Sequence, residues 1–303
     1  MSIEQSIEAD SPCQRAACSA IKIVVTPKEK DLGGFSVRRL LPAAQQRMVG
    51  PWLFFDHMGP AHFKAGEGIN VRPHPHIHLA TVTYLFEGEI LHRDSLGSLQ
   101  PIRPGDVNLM VAGKGIVHSE RERPEVTAVD HNLHGLQLWL ALPEAKQNID
   151  PAFYHYPQAD IPMVTVDGVP VRVIMGSAYG VSSPVKTFAQ TLYLEADLQP
   201  QQSLTLPPQQ ERAVYVAAGE IEIDGEKVSQ YQLAILNEKC DVTVIAGTAA
   251  RIALIGGEYM SPRRMFWNFA STDIDSIEQA KLDWQNGKFP TVPGDDSEFI
   301  PLP

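Results

Sequence analysis

Two short pairs of polar residues carry side chains that could do metal chemistry. The first is His74-Pro-His76, and the second, His118-Ser-Glu120, begins 42 residues after His76. Residues at i and i+2 on a strand point to the same face, so each pair could send two donor atoms into one interior. Three imidazoles and one carboxylate suit a first-row divalent metal. The spacing therefore predicts a metal site formed by His74, His76, His118 and Glu120.

The remaining polar residues near these pairs have simpler interpretations. His78 extends the first pair to His-Pro-His-Ile-His, and we expect it to pack or hydrogen-bond around the site. His92 could line a pocket, although stabilisation of the following turn is the simpler role. His134 is expected to be a structural hydrogen-bonding residue. Glu120 has a second potential role, because a carboxylate beside a metal can also accept a proton.

The segments that must position these residues have the sequence pattern of short strands. Apolar, β-branched runs such as Ile21–Val25, Ala80–Phe86 and Leu136–Ala141 are separated by Gly, Pro, Asn and Asp about every ten residues. This pattern is typical of a β-sandwich or barrel, and the 24 prolines argue against a helical protein. A helix is predicted from Ser276 to Asn286, with Gly287 ending it.

A weak internal repeat divides the chain into two halves. The segment Tyr84–Ile90 (YLFEGEI) resembles Tyr215–Ile221 (YVAAGEI). Two copies of one β-barrel fit this repeat, with a junction near residues 143–185. The second copy has Pro208-Gln-Gln210 and Ala246-Gly-Thr248 where the first has its two polar pairs. A single metal site would therefore belong to the first half.

Composition and charge narrow the classes of function. The 303 residues suffice for two domains, and the net charge of −11 argues against direct binding to nucleic acid. No signal peptide or membrane-spanning apolar run is visible, which favours the cytoplasm. The cysteines Cys13, Cys18 and Cys240 have no C-x-x-C spacing and fit a reducing compartment. Asp295 and Asp296 are expected in a solvated loop.

The order of these motifs resembles that of the pirin family in the cupin superfamily. The first half carries the motifs Arg72–His76, Pro104–Asp106, Met110–Glu120 and His134–Trp139. The end of the chain carries Gly287-Lys-Phe-Pro290 and a closing Phe-Ile-Pro-Leu-Pro. The resemblance covers about residues 20–303.

The resemblance implies a fold, a domain division and a ligand set. It implies an all-β bicupin, in which two antiparallel β-barrels (double-stranded β-helices) are followed by a short C-terminal helix. The expected divisions are a disordered extension (1–20), a metal-binding cupin barrel (21–145), and a C-terminal cupin barrel without metal ligands plus a closing segment (146–303). Fe(II) is the implied metal, with Ni, Cu, Mn or Zn as alternatives. The implied ligands are His74, His76, His118 and Glu120.

One segment departs from the family pattern. Pirins commonly read Arg-Gly-Phe-Glu directly after the first histidine pair, whereas this chain reads Ile77-His-Leu-Ala80. The replaced family residues are not ligands but shape the surroundings of the site. We therefore expect the departure to affect substrate choice and activity more than metal binding.

The resemblance also implies competing functions. The first is a metal-dependent dioxygenase, of the quercetin 2,3-dioxygenase type, that cleaves a flavonol or a related phenolic. Its partners would be a small aromatic substrate and dioxygen, with Glu120 as the catalytic base. The second is a non-catalytic, iron-dependent regulator that binds a protein partner, and a metal-free small-molecule-binding bicupin is a third. A monomer or weak oligomer, without nucleic-acid or membrane contact, is expected throughout.

Overall fold

The computed structural model describes residues 19–31, 35–238 and 241–303. The predicted disordered extension lies almost wholly outside the described residues, as do all of Cys13, Cys18 and Cys240. Strands dominate the described chain, because its β-branched and aromatic runs fit a pleated surface and its Gly and Pro residues end each run. The prediction of an all-β chain with two cupin-type domains is confirmed.

Twelve strands of the described chain lie between residues 21 and 156, and many of them coincide with the apolar, β-branched runs of the sequence. They are β1 (Ile21–Val25), β2 (Lys28–Asp31), β3 (Ser36–Leu41), β4 (Trp52–Phe63), β5 (Val71–His76), β6 (Leu79–Glu87), β7 (Ile90–Asp94), β8 (Leu99–Ile102), β9 (Val107–Val111), β10 (Ile116–Arg121), β11 (His131–Ala141) and β12 (Ala152–Tyr156). A four-residue helix α1 (Pro124–Thr127) and two 3₁₀ turns (Glu144–Lys146 and Gln158–Asp160) lie among the connections.

The second half repeats this arrangement and ends in a helix. Its strands are β13 (Met163–Val166), β14 (Val169–Met175), β15 (Ser177–Ala178), β16 (Val181–Ser182), β17 (Thr191–Leu198), β18 (Ser203–Thr205), β19 (Glu211–Ala218), β20 (Glu220–Ile223), β21 (Glu226–Ser229), β22 (Leu233–Leu236), β23 (Thr243–Ala246), β24 (Ala250–Gly257), β25 (Arg264–Phe266) and β26 (Phe269–Ser271). The helix α2 spans Ile274–Gln285.

Each half pairs one large antiparallel sheet with one small one. In the first half the large sheet has the order β12-β9-β6-β11-β4-β3-β2 and the small sheet has the order β5-β10-β7-β8. In the second half the orders are β1-β22-β19-β24-β17-β14-β13 and β18-β23-β20-β21. The two halves thus have sheets with the same numbers of strands, in agreement with the internal repeat in the sequence.

Two edge strands are exchanged between the halves. The strand β1 precedes the first small sheet in the chain but pairs with β22 of the second half. The strand β12 follows residue 145 but pairs with β9 of the first half. Pairing therefore crosses the predicted division at residue 145 in both directions, and that division stays a prediction.

The interiors of the two halves differ in polarity. The second interior is filled by aliphatic side chains, among them Leu194, Val214, Val244 and Leu254, all 0% exposed. The first interior contains the histidines of the two predicted pairs and an adjoining cavity. Apolar faces of the two large sheets, including Leu136 and Ile255, share one core cluster between the halves. Close packing thus fixes one half against the other.

The C-terminal helix begins two residues before the predicted Ser276. Asp273 caps it, because its carboxylate accepts from the backbone N–H groups of Asp275 and Ser276, both at 3.1 Å. The helix ends at Gln285, and Gly287 follows in the left-handed region with φ of 64°. Neither α-helix of the described residues is long and apolar enough to cross a membrane.

A buried histidine, His57, and a half-buried one, His134, lie where the large sheets meet. His57 on β4 is hydrogen-bonded through Nδ1 to the Tyr215 hydroxyl on β19, and its Nε2 lies 2.7 Å from Nε2 of His134. The structural role predicted for His134 is thus confirmed. Burial lowers the pKa of His57 to about 3 and that of His134 to about 4. Both rings are therefore neutral in the folded protein at neutral pH.

We expect His57 to make the protein less stable in mild acid. The unfolded chain binds a proton on this residue near pH 6.5, whereas the folded chain does so only near pH 3. Its contribution to stability is therefore complete above pH 6.5 and is lost as the pH falls. A His57→Asn variant should reduce the pH slope of the unfolding free energy by about 1.4 kcal/mol per unit below about pH 6.

Urea unfolding at a series of pH values measures this slope. The matched control is His62→Asn, because His62 is exposed and its ring contacts Asn132 at the surface. The control should leave the slope as in the parent protein. An identical slope for His57→Asn and the parent protein would contradict the assignment.

Candidate metal centre

The two histidine-bearing strands are neighbours in the first small sheet. The strand β10 pairs antiparallel with β5, and His118 lies directly opposite His74. Because side chains alternate along a strand, His76 projects to the same face as His74. The Pro75 ring between them removes a backbone donor, and Pro75 pairs with Val117. The local sequence thus places three imidazoles on one face of two adjacent strands.

The structure brings these three imidazoles together. One ring nitrogen from each of His74, His76 and His118 lies within 4.8 Å of the other two. The Nε2 atoms of His76 and His118 are 3.1 Å apart. All three side chains are buried. A single cation between them would have three nitrogen donors.

Hydrogen bonds on the far side of two rings fix which nitrogen can bind a cation. The Nδ1–H of His74 donates to the Arg72 carbonyl at 2.9 Å, and the Nδ1–H of His76 donates to the Asn268 carbonyl at 3.1 Å. Each Nε2 therefore carries a free lone pair toward the cluster, the arrangement typical of metal-binding histidines. Nδ1 of His118 is buried and has no hydrogen-bond partner in the described chain.

The protonation states of the cluster fit the same conclusion. Burial lowers the pKa of His74 to about 4, and it holds the pKa values of His76 and His118 well below the ordinary value. Each ring is close to other imidazoles, which further disfavours a positive charge. Neutral imidazole is the form that binds metals. The donor set therefore fits a divalent transition metal.

Glu120 lines the same cavity but stands apart from the histidine cluster. Its oxygens do not belong to the group of ligand atoms that lie within 4.8 Å of one another. The pairing of β10 with β5 shifts register between His118 and Glu120, and Glu120 lies opposite His92 on β7. Burial raises the pKa of Glu120 to about 7. The four-ligand site stays a prediction for this residue.

The other histidines near the pairs take the simpler roles. His78 has left the strand with φ of 60°, and its ring contacts Ser271 Oγ at 3.0 Å and Asn148 Oδ1 at 3.1 Å. The Nε2 of His92 lies 2.9 Å from an Asp94 oxygen. The second Asp94 oxygen accepts two backbone N–H groups of the following turn. His78 and His92 thus pack and stabilise turns, as predicted.

A cavity of about 300 Å³ opens beside the cluster. Its walls combine apolar and aromatic side chains with polar groups on both sheets, as is found in small-molecule sites. The ring of Phe54 stacks on Trp139 at 3.9 Å, and Trp139 meets the His76 ring edge-on at 5.0 Å. Lining residues that the sequence analysis missed include Arg39, Phe54, Asp56, Gln137, Trp139, Trp267 and Ile300. The sequence did contain one sign of this polar wall, because the charged residue Asp56 directly follows the apolar run Trp52–Phe55.

The C-terminal tail, residues 287–303, closes one side of this cavity through Ile300. The Ile300 N–H donates to the Pro73 carbonyl at 2.9 Å, and Trp284 Nε1–H donates to the Ile300 carbonyl at 3.0 Å. The second half therefore contributes directly to the candidate site in the first.

Asp295 fastens the tail to the strand that carries His118 and Glu120. Its carboxylate accepts from Ser119 Oγ at 2.7 Å and from Arg121 Nε and Nη2 at 2.8 and 2.6 Å. The Asp295 side chain is 9% exposed, so the expectation of a solvated carboxylate is wrong for this residue, whereas Asp296 is exposed as expected. No local pattern around Asp295 indicates that an arginine 174 residues away is its partner.

We expect Asp295→Ala to destabilise the protein by about 1–3 kcal/mol, because it removes the hydrogen bonds to Ser119 and Arg121 and leaves the partly buried arginine with Glu298 as its remaining charged partner. Urea unfolding at neutral pH measures this change. Asp296→Ala, at the exposed neighbouring position, is the matched control and should change stability by less than about 0.5 kcal/mol. Equal effects of the two variants would rule out a specific role for Asp295.

Two cupin-type halves, of which the first holds a buried triad of histidines, define a bicupin with a metal-competent N-terminal half. Comparisons with known families agree with this description. The model of the Pirin family matches residues 34–140, and that of the Pirin C-terminal cupin domain matches residues 193–290. The chain belongs to the pirin family.

Individual relatives match over nearly the whole chain. A pirin-like protein of Caulobacter vibrioides is 45% identical over 93% of this chain and 99% of its own length. Human pirin is 33% identical, over 88% of this chain and 93% of its own. The crystal structure of a quercetin 2,3-dioxygenase from Acinetobacter baumannii superposes with a TM-score of 0.86, at 33% identity, covering 93% of this chain and 94% of that one.

Proposed function

We propose that this protein is a metal-dependent dioxygenase that cleaves a flavonol or a related phenolic ring. The observation that carries the proposal is the histidine triad, His74, His76 and His118, at the wall of an aromatic-lined cavity. Such a cavity could admit one planar ligand. The similarity to a solved protein named quercetin 2,3-dioxygenase supports this substrate class.

We further propose that the first half, residues 21–145, holds the metal, with iron as the expected ion. His74, His76 and His118 would bind it through nitrogen, and Glu120 would complete the set or remain beside it. When bound, the metal would supply Lewis acidity toward the substrate and activation of dioxygen. Nickel, copper, manganese and zinc are alternatives, because neutral imidazoles accept each of them.

Glu120 is proposed to accept the proton of the substrate hydroxyl. Its side chain lines the cavity, and burial raises the pKa of this carboxyl to about 7. A base with a pKa near the working pH is efficient in proton transfer, because it is both available and strong enough. Burial is the cause of this shift, and among the described residues no arginine or lysine offsets it. In the metal-free protein the neutral acid and its carboxylate would thus be close in free energy near pH 7, and a bound cation would favour the carboxylate, which is the form that accepts a proton.

The apolar walls are proposed to orient the ligand and exclude water. Phe54, Trp139 and Trp267 offer ring faces and edges to a planar aromatic molecule. Exclusion of water strengthens every polar contact inside the cavity. The second half, residues 146–303, is proposed to hold no metal and to supply part of the wall, through Trp267, Asn268 and Ile300.

Oxygen consumption together with loss of flavonol absorbance tests the proposal. The full chain would be loaded separately with iron, nickel, copper and manganese, and the metal content would be measured in each sample. Turnover with at least one of these metals is expected. Loaded protein that consumes neither oxygen nor flavonol would overturn the dioxygenase proposal for flavonols.

The alternative is an iron-dependent regulator that binds a protein. It would be favoured by a partner that is captured by the metal-loaded protein and not by the metal-free protein, in the absence of turnover. No feature of the described residues identifies such a partner.

A further inference from the structure

A row of polar side chains crosses the large sheet of the first half. Directly opposed residues on neighbouring antiparallel strands point to the same face. The register places six polar residues side by side on β3, β4, β11, β6, β9 and β12: Arg39, Asp56, Gln137, Thr83, Asn108 and His155. Asp56, Thr83 and Asn108 are buried. Buried polar groups are unfavourable unless they are hydrogen-bonded, so a continuous row of them calls for an explanation.

The row faces the interior that contains the metal centre. Arg39, Asp56 and Gln137 line the same cavity as the three histidines. Because Gln137 and Trp139 are two residues apart on β11, they project to the same face. The cavity is thus bounded by nitrogen ligands on the small sheet and by polar side chains on the large sheet.

Internal hydrogen bonds hold the cavity-facing members in position. Arg39 Nε and Nη2 donate to the two Asp56 carboxylate oxygens at 2.9 and 2.7 Å, and the guanidinium lies 4.4 Å from the centre of the Phe54 ring. The Thr83 hydroxyl donates to Gln137 Oε1 at 2.8 Å. Both cavity-facing donors are therefore oriented by neighbours rather than free to rotate.

In these contacts each cavity-facing acceptor oxygen already accepts one hydrogen bond, whereas two N–H groups have no protein partner in the part of the chain that the structure describes. Both oxygens of Asp56 are engaged by Arg39, and Oε1 of Gln137 is engaged by Thr83. Within the described ranges, Nη1 of Arg39 and Nε2 of Gln137 make no hydrogen bond with protein atoms. Both residues are partly exposed, through the open cavity. The large-sheet wall of the cavity therefore presents N–H groups, which bind oxygen acceptors.

We propose that Arg39 and Gln137 form a second binding subsite, which holds an oxygen substituent of the ligand at the end remote from the metal. The ligand class is a planar polyphenol with oxygen atoms at both ends, rather than any compound that carries the metal-facing hydroxyl alone. Thr83 is a positioning residue, because it orients the Gln137 amide. The inference rests on the proposed function and specifies its substrate further.

Two ligands distinguish the remote contact from the contact near the metal. Quercetin has hydroxyl groups on both outer rings, whereas 3-hydroxyflavone keeps the 3-hydroxyl and 4-keto oxygens but has no other hydroxyl. Binding of each to the zinc-loaded full chain would be followed by quenching of tryptophan fluorescence, since Trp139 and Trp267 line the cavity. Zinc does not change oxidation state, so affinity is measured without turnover.

Gln137→Met removes the amide donor at similar volume, and Arg39→Lys keeps a positive charge beside Asp56 but removes the guanidinium. Each should weaken quercetin binding about three- to tenfold and change 3-hydroxyflavone binding less than about twofold. Thr83→Val should give a smaller shift in the same direction. Gln279→Met, on the exposed face of α2, is the matched control and should alter neither affinity.

The outcomes separate the two proposals. A parent protein that binds neither flavonoid would overturn the proposed substrate class and the subsite with it. A parent that binds both, together with variants that lose affinity for both equally or for neither, would overturn the subsite alone. Zinc content and unfolding midpoints of each variant establish that the holoprotein is intact in every comparison.

Discussion

His118→Ala should lower the affinity for iron or zinc by more than about 100-fold, because it removes one of three clustered nitrogen donors. The three rings form a compact triangle, with the centroid of His118 4.3 Å from that of His74 and 5.0 Å from that of His76. The remaining two imidazoles, with Glu120 outside the cluster, would leave most coordination positions of the ion to water. Elemental analysis after dialysis, with competition against a chelator, measures the loss.

The control for this experiment is a histidine outside the centre. His62→Ala removes an exposed ring that contacts Asn132 and should leave metal content at the parent level. Because removing a buried ring can also destabilise the fold, the unfolding midpoint of metal-free His118→Ala should be measured in parallel. A folded His118→Ala protein with full metal occupancy would refute the ligand assignment.

Glu120→Gln should lower kcat on a flavonol by about 100-fold or more while metal occupancy remains substantial. The amide has nearly the same shape as the carboxyl but cannot accept a proton. The three histidines are retained, and Glu120 lies outside their cluster. Steady-state kinetics with a measured metal content per sample separates the loss of proton transfer from the loss of metal.

Glu125→Gln provides the matched change at an exposed position in α1, and its kinetics should equal those of the parent. If Glu120→Gln instead loses its metal to the same extent as His118→Ala, Glu120 is a ligand in the loaded protein and the proton acceptor must be sought elsewhere. If it retains full kcat, Glu120 has neither role.

The sequence predicted the histidine part of the site well. Alternation along a strand requires only local spacing, so His74 and His76 could be placed on one face directly from their positions. The weak repeat around Tyr84 and Tyr215 indicated two similar halves and assigned the metal-type residues to the first. The clustering of the three histidines agrees with the first inference, and both inferences could be made because each depends on residues close together in the chain or on a motif that occurs twice.

Features that depend on register between distant strands were not predictable. The pairing of β10 with β5 shifts register between His118 and Glu120, and Glu120 lines the cavity without belonging to the histidine cluster that the i, i+2 spacing predicted for it. The polar row requires the alignment of six strands. The contact of Asp295 with Arg121 joins positions 174 residues apart. A single sequence does not show which distant residues lie opposite each other in a sheet or form an ion pair.

The exchange of β1 and β12 bears on how the protein can be divided experimentally. A recombinant fragment ending at residue 145 would lack β12, so the outer N–H and C=O groups of β9 would face solvent. A fragment beginning at residue 146 would likewise lack β1 and expose β22. Unpaired edge strands of this kind form hydrogen bonds with strands of other chains and so favour aggregation. We therefore expect fragments cut between residues 145 and 146 to aggregate. Both halves should be expressed together as one chain.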